Sequence, residues 1–110
     1  MLSRVMIFAT VGTLKRCHMH YVNTTTFPVE NKFYVVDEPL EVGSICGLIA
    51  DYEPHLHMVA GCRNQRVFSG HVEPGCVVLY LAKVLIMRLD GLMLGRVVDG
   101  HGISLLAKRR

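Results

Sequence analysis

Apolar residues fall in short runs cut by Gly, Pro, Asp and Asn, and no stretch spaces them at a helical period. Residues 4–11 are rich in Val, Ile and Phe and predict a strand, punctuated by Gly12-Thr13. Residues 14–22 predict the next. Alternation there sets Lys15, Cys17, Met19 and Tyr21 on one face and Arg16, His18 and His20 on the other. The second face is polar throughout, which suits solvent or a subunit contact. Residues 23–30, with three consecutive Thr and Pro28, predict a loop, and residues 32–36 a short strand ended by Asp37-Glu38-Pro39. Residues 40–50 resume the β pattern, with Gly43 and Gly47 marking a bulge or a close backbone approach.

Turns at 51–54, 62–66 and 73–75 bracket strands at 55–61 and 67–72. Residues 77–89 predict a long buried strand. Periodicity alone also allows a buried helix, but the Val, Ile and Tyr content and the flanking Pro-Gly and Asp-Gly favour β. A last strand at 92–98 precedes a loop at 99–102 and a basic tail at 103–110. Many short strands with turn signals between them predict an antiparallel β-rich domain.

The 110 residues fit a single domain, 1–110, and 51% hydrophobic content is ample for a core. At this size, oligomerisation is an expected aid to stability. Net charge is +3 from 12 basic and 9 acidic residues, and Lys108, Arg109 and Arg110 supply the whole excess. That is a basic tail on a neutral body. Nucleic-acid contact would fall to those three residues, because phosphate binding needs several cations on one surface. Cys17, Cys46, Cys62 and Cys76 form no Cys-x-x-Cys motif and follow no secretory signal, so reduced thiols in a cytoplasmic protein are expected. No apolar run is long enough and free enough of charge to span a bilayer.

The chemistry-bearing pattern is Pro54-His55-Leu56-His57 followed by Ser69-Gly70-His71. His55 and His57 project from one face of a strand, and a return through residues 62–66 brings His71 onto the neighbouring strand. Three neutral imidazoles with an open fourth position suit zinc or another divalent transition metal. The plainer alternative is a set of partly buried histidines bonded to backbone. No acid lies between His57 and Glu73, so a carboxylate ligand or general base would come from Asp51 or Glu53. A cupin motif also carries His-x-His, but it expects a Glu shortly after the pair and Pro-x-Gly ahead of the last His. Neither is present. His18 and His20 form a second pair with no evident third partner, and His101 sits in a Gly-flanked loop; both are read as surface features. Ser69 has no orienting acid, and Gly43-x-x-x-Gly47 lacks the Lys-Ser/Thr of a phosphate loop.

Several segments together resemble the PPC (plant and prokaryote conserved) domain, also described as a PD1-like DNA-binding motif domain. They are Val11-Gly12-Thr13-Leu14-Lys15-Arg16, Glu38-Pro39-Leu40-Glu41-Val42, Gly47-Leu48-Ile49-Ala50, Pro54-His55-Leu56-His57, Arg66-Val67-Phe68-Ser69-Gly70-His71, Glu73-Pro74-Gly75-Cys76 and Ala82-Lys83-Val84-Leu85-Ile86. The resemblance runs over residues 6–91 and implies an α+β fold around a predominantly antiparallel sheet, assembled as a homotrimer. It implies a metal held by His55, His57 and His71, a DNA or protein partner, and no membrane. Measured against the family pattern, the strand and helix that open the domain are missing here, Lys83 stands where an acid is usual, and no AT-hook is present. The expected function is a small trimeric PPC-like domain with a three-histidine metal site and a family-inherited DNA-binding role. The alternative is a metal-dependent hydrolase using the open metal position.

Overall fold

The computed structural model describes residues 4–108. One strand organises it. β1 (Val5–Val22) is a single 18-residue strand, where the Gly12-Thr13 pair had predicted two. Partners on both sides bridge that pair: the ladder to the strand at Leu40–Ala50 resumes at Gly12 and Thr13, and the ladder to the strand at Val77–Arg88 continues through Gly12 with a register shift beside it. β2 (Asn31–Val36), β3 (Leu40–Ala50), β4 (Glu53–Cys62), β5 (Val67–Val72) and β6 (Val77–Arg88) complete a six-stranded sheet, and β7 (Leu94–Val98) pairs with β8 (Ser104–Lys108) as a separate ribbon.

Every pairing is antiparallel. The N-terminal part of β1 lies between β3 and β6, and its C-terminal part lies between β2 and β5. Because β5 returns to β1, the path β1–β3–β4–β5 closes on itself. Closure removes free edges from those four strands.

Alternation puts the core inside that circuit. Cys17, Met19 and Leu14 of β1, Leu40 of β3 and Met58 and Ala60 of β4 are buried and pack with Val36. Tyr34, Val42, Ile45, Phe68 and Val72 cover this cluster. The register shift between Val42 and Ser44 places a bulge at Gly43, as the glycine had predicted. Gly47 adopts φ +149°, and a Cβ there would stand 2.0 Å from the His55 carbonyl oxygen, so only glycine lets β3 and β4 approach so closely.

Three expectations need correction. Among the described residues no α-helix forms; a single 3-10 turn at Arg63–Gln65 is the only helical element, so the sheet of the expected α+β fold is present without an α layer. The strand predicted at 77–89 exists as β6 but is exposed along almost its whole length, since no second layer covers it. The segment read as a basic tail is strand β8 as far as Lys108, because Asp99 turns the chain back by accepting backbone hydrogen bonds from His101 and Ile103. Arg109 and Arg110 lie outside the described residues. No helix among the described residues is long and apolar enough to cross a membrane.

Met58 is 1% exposed at the centre of the core. Met58→Ala is expected to cost about 2–5 kcal/mol, from lost transfer energy and the cavity left behind. Chemical denaturation with an unchanged m-value checks this.

Candidate metal centre

The registers of three adjacent strands line up the histidines. His57 of β4 faces His71 of β5, and His71 faces His20 of β1. Met19 and Met58, the neighbours of His20 and His57 in sequence, point into the core, so the imidazoles lie in a row on the opposite face. His55, two residues before His57, joins them on that face. Cys46 of β3 is directly opposite His57 and extends the row to a fourth strand.

Gly70 makes the row possible. A Cβ at that position would sit 2.6 Å from the His20 carbonyl oxygen. Glycine before His71 therefore lets β5 dock on β1, across a ladder of only Met19–Val72 and His20–His71. Beyond β5 the chain is strapped to β1: the Glu73 N–H donates to the His18 carbonyl at 2.9 Å, and His18 Nδ1 lies 2.8 Å from the Pro74 carbonyl oxygen.

The ring centroids of His55 and His71 are 5.1 Å apart, those of His57 and His71 5.6 Å, and those of His55 and His57 5.3 Å. His55 Nε2 and His57 Nε2 approach to 3.3 Å. The three predicted ligands are thus neighbours on one face. A tighter trio is also present: among the described residues, the ligand atoms of His20, His71 and Glu73 lie within 4.8 Å of one another. Glu73 Oε1 is 2.5 Å from His20 Nδ1 and 3.5 Å from His71 Nδ1. The His20 and His71 rings stack at 4.4 Å, and Phe33 packs on His20 at 4.9 Å. His20 and Glu73 were not among the predicted ligands. The signal that could have found them is the pairing of His20 with His71, which sequence spacing does not reveal because 50 residues of chain lie between the two histidines.

The site's electrostatics suit neutral ligands. Burial holds His55 below the ordinary histidine pKa, helped by His71 and His57. Burial likewise lowers His71, with His20 adding to the effect and Glu73 opposing it. His71 Nδ1 is buried and makes no hydrogen bond. Imidazoles kept neutral, one with an unsatisfied buried nitrogen, fit the donor set of a zinc-type ion.

A cavity of about 420 Å³ opens beside the row, lined by His20, His55, His71, Glu53, Arg96 and His101 among others. The β7–β8 ribbon forms one wall. It is anchored by the Arg96 N–H, which donates to Asp51 Oδ2 at 2.7 Å, and by Arg96 Nη2, which donates to the Leu48 carbonyl at 3.4 Å. Of the two acids considered as general bases, Glu53 lines this cavity and Asp51 accepts the Arg96 N–H. His101 stacks on Phe27 at 4.0 Å. Lys108 ends β8, and Ser69 accepts the Tyr34 hydroxyl through its carbonyl oxygen. All four cysteines are free thiols: Cys17 buried, Cys46 exposed, and Cys62 and Cys76 in between.

This fold, with its Gly-His and His-Leu-His strands side by side, matches the sequence model of the Plants and Prokaryotes Conserved (PCC) domain over residues 2–90. The chain belongs to the PCC domain family. The PCC match ends before β7, so the ribbon that walls the cavity lies beyond it. A plant- and prokaryote-conserved protein from Pyrococcus horikoshii superposes with a TM-score of 0.78 at 24% identity, covering 99% of this chain and 76% of that one. A metal-containing protein from Archaeoglobus fulgidus does so with 0.76 at 20% identity, covering 97% and 76%. A candidate DNA-binding protein from Bacteroides thetaiotaomicron gives 0.77 at 15%, covering 99% and 76%. Among curated proteins, the bifunctional protein GlmU of a Synechococcus strain is 24% identical over 80 residues, which is 73% of this chain and 12% of that protein. The chain therefore spans about an eighth of the length of that relative.

The lowered histidines make metal-free stability depend on pH. As pH falls through about 6.5, the unfolded chain takes up protons at His55 and His71 before the folded one does. Stability is then present at higher pH and is lost as pH falls, down to the depressed folded pKa values. The melting temperature in chelator is expected to drop between pH 7.5 and 5.5. The doubly substituted His55→Gln/His71→Gln protein should show a flatter profile over the same interval, and equal slopes would refute the assignment.

Proposed function

We propose that this PCC domain is a metal-binding module whose ion is held by His55, His57 and His71. The observation that supports the reading best is the alignment of these imidazoles on one sheet face, with burial favouring their neutral form. The metal would be zinc or another divalent transition ion, judged from an all-nitrogen donor set. Such an ion would polarise a ligand or hold the strands together. The hydrolase alternative takes its support from Glu53, a carboxylate that lines the cavity with His55 and His71.

DNA contact is the weaker reading. It takes its support from the likeness to a candidate DNA-binding protein and from Lys108, Arg109 and Arg110. Against it, Arg16 pairs with Asp37, Arg63 and Arg66 with Glu38, and Arg88 with Asp90. Cations already matched by acids offer little to a phosphate backbone.

The same proposal extends to assembly. Tyr80 is 81% exposed on β6, and Val78, Leu81, Val84, Leu85, Ile86 and Met87 are exposed with it. An exposed, largely apolar strand interrupted only by Lys83 before Arg88 ends it is a surface that further copies of the chain would cover, and the homotrimer implied by the family resemblance is the expected form.

Zinc-supplemented native protein is expected to retain metal through desalting, measured by elemental mass spectrometry. His55→Ala should retain less zinc than native protein, by the ion of the three-histidine set, and His71→Ala should lose at least as much. Retention equal to that of native protein in both variants would exclude these ligands. Light scattering should give a trimer for the native chain, and Leu85→Glu should shift it towards monomer; a well-folded native monomer would exclude the assembly.

A further inference from the structure

We propose a second cation position, formed by His20 Nδ1, His71 Nδ1 and the Glu73 carboxylate, on the side of the His71 ring away from its Nε2. It deepens the metal-binding reading, since it shares His71 with the three-histidine set, and it adds His20 and Glu73, which that set does not use.

The ligand types are two histidines and one carboxylate, a set used for zinc and for non-haem iron. Their atoms already lie within 4.8 Å of one another. A tetrahedral ion bound at about 2.0–2.1 Å needs ligand atoms roughly 3.4 Å apart. Glu73 Oε1 stands 3.5 Å from His71 Nδ1, which matches, and 2.5 Å from His20 Nδ1, which must open by roughly 0.9 Å while the stacked rings turn to aim both nitrogens at the ion. Without an ion, the short His20–Glu73 contact is a hydrogen bond in which a proton takes the place of the cation. His71 Nδ1 has no hydrogen bond at all, although it is buried. A buried nitrogen without a hydrogen bond, beside a carboxylate and a second imidazole, is a donor free to take a cation.

The position is also built in advance. His20 and His71 are opposed in register, and Gly70 brings their strands together. The Glu73 backbone is pinned to the His18 carbonyl at 2.9 Å, and Phe33 holds the His20 ring. The side chains of His20, His71 and Glu73 are 16%, 24% and 20% exposed, and His20 and His71 line the adjoining cavity.

The test separates the two positions by breaking one first. In a His55→Ala/His57→Ala chain the three-histidine set is gone. Titration with Co²⁺, read by visible absorption and by elemental analysis, should still give one bound ion per chain. Adding Glu73→Gln or, separately, His20→Asn should abolish that ion, with circular dichroism confirming that each variant is folded. If native protein binds Co²⁺ but the His55→Ala/His57→Ala chain does not, the second position is wrong and the three-histidine reading stands. If the ion survives both Glu73→Gln and His20→Asn, the assignment of these ligands is overturned. If His55→Ala/His57→Ala matches native protein and loses its ion on Glu73→Gln, the second position stands alone. No Co²⁺ bound by native protein would refute both.

Discussion

Everything in this domain depends on one strand being shared. β1 gives its first half to β3 and β6 and its second half to β2 and β5, so it is part of every ladder of the main sheet except β3–β4 and β4–β5. A strand with that many partners cannot slip: a shift of one residue would turn Cys17 and Met19 out of the core and His18 and His20 into it. The same constraint that buries two sulfur-bearing side chains therefore fixes where an imidazole emerges on the other face. Core and candidate metal centre are two readouts of one register.

Much of this was legible in the chain. Alternation through residues 14–22 identified the Cys17–Met19 face, and the turn residues marked the ends of β3, β4 and β5 to within two residues. His55 and His57 could be placed together because their proximity is local, a property of any strand. His20 could not, because its meeting with His71 comes from the closure of a circuit that no nearby pattern encodes. Glu73 was hidden for a related reason. It looked like part of a turn, and it is one, but the strap to His18 aims its carboxylate back at the sheet. The β6 strand was recognised as apolar and wrongly taken as buried, since hydrophobicity reports what a surface tends to avoid and not whether this chain supplies the cover.

The C-terminal ribbon shows that a charged chain end can also be regular structure. Lys108 belongs to a run that looks like a solvated tail, yet it closes a strand whose partner, β7, carries Arg96 to the β3–β4 turn. The ribbon that ends in Lys108 also supplies Arg96 and Ser104 to the wall of the cavity beside the histidines.

The seam where β5 meets β1 has only two residue pairs, and one of them is a pair of stacked imidazoles. A ladder that short is a weak fastening for a closed circuit of strands. The Glu73 carboxylate, 2.5 Å from His20 Nδ1 and 3.5 Å from His71 Nδ1, reaches the edge of both rings and acts as the clasp. Charge at that one carboxylate, and anything that binds it, then bears on whether the circuit of strands stays shut.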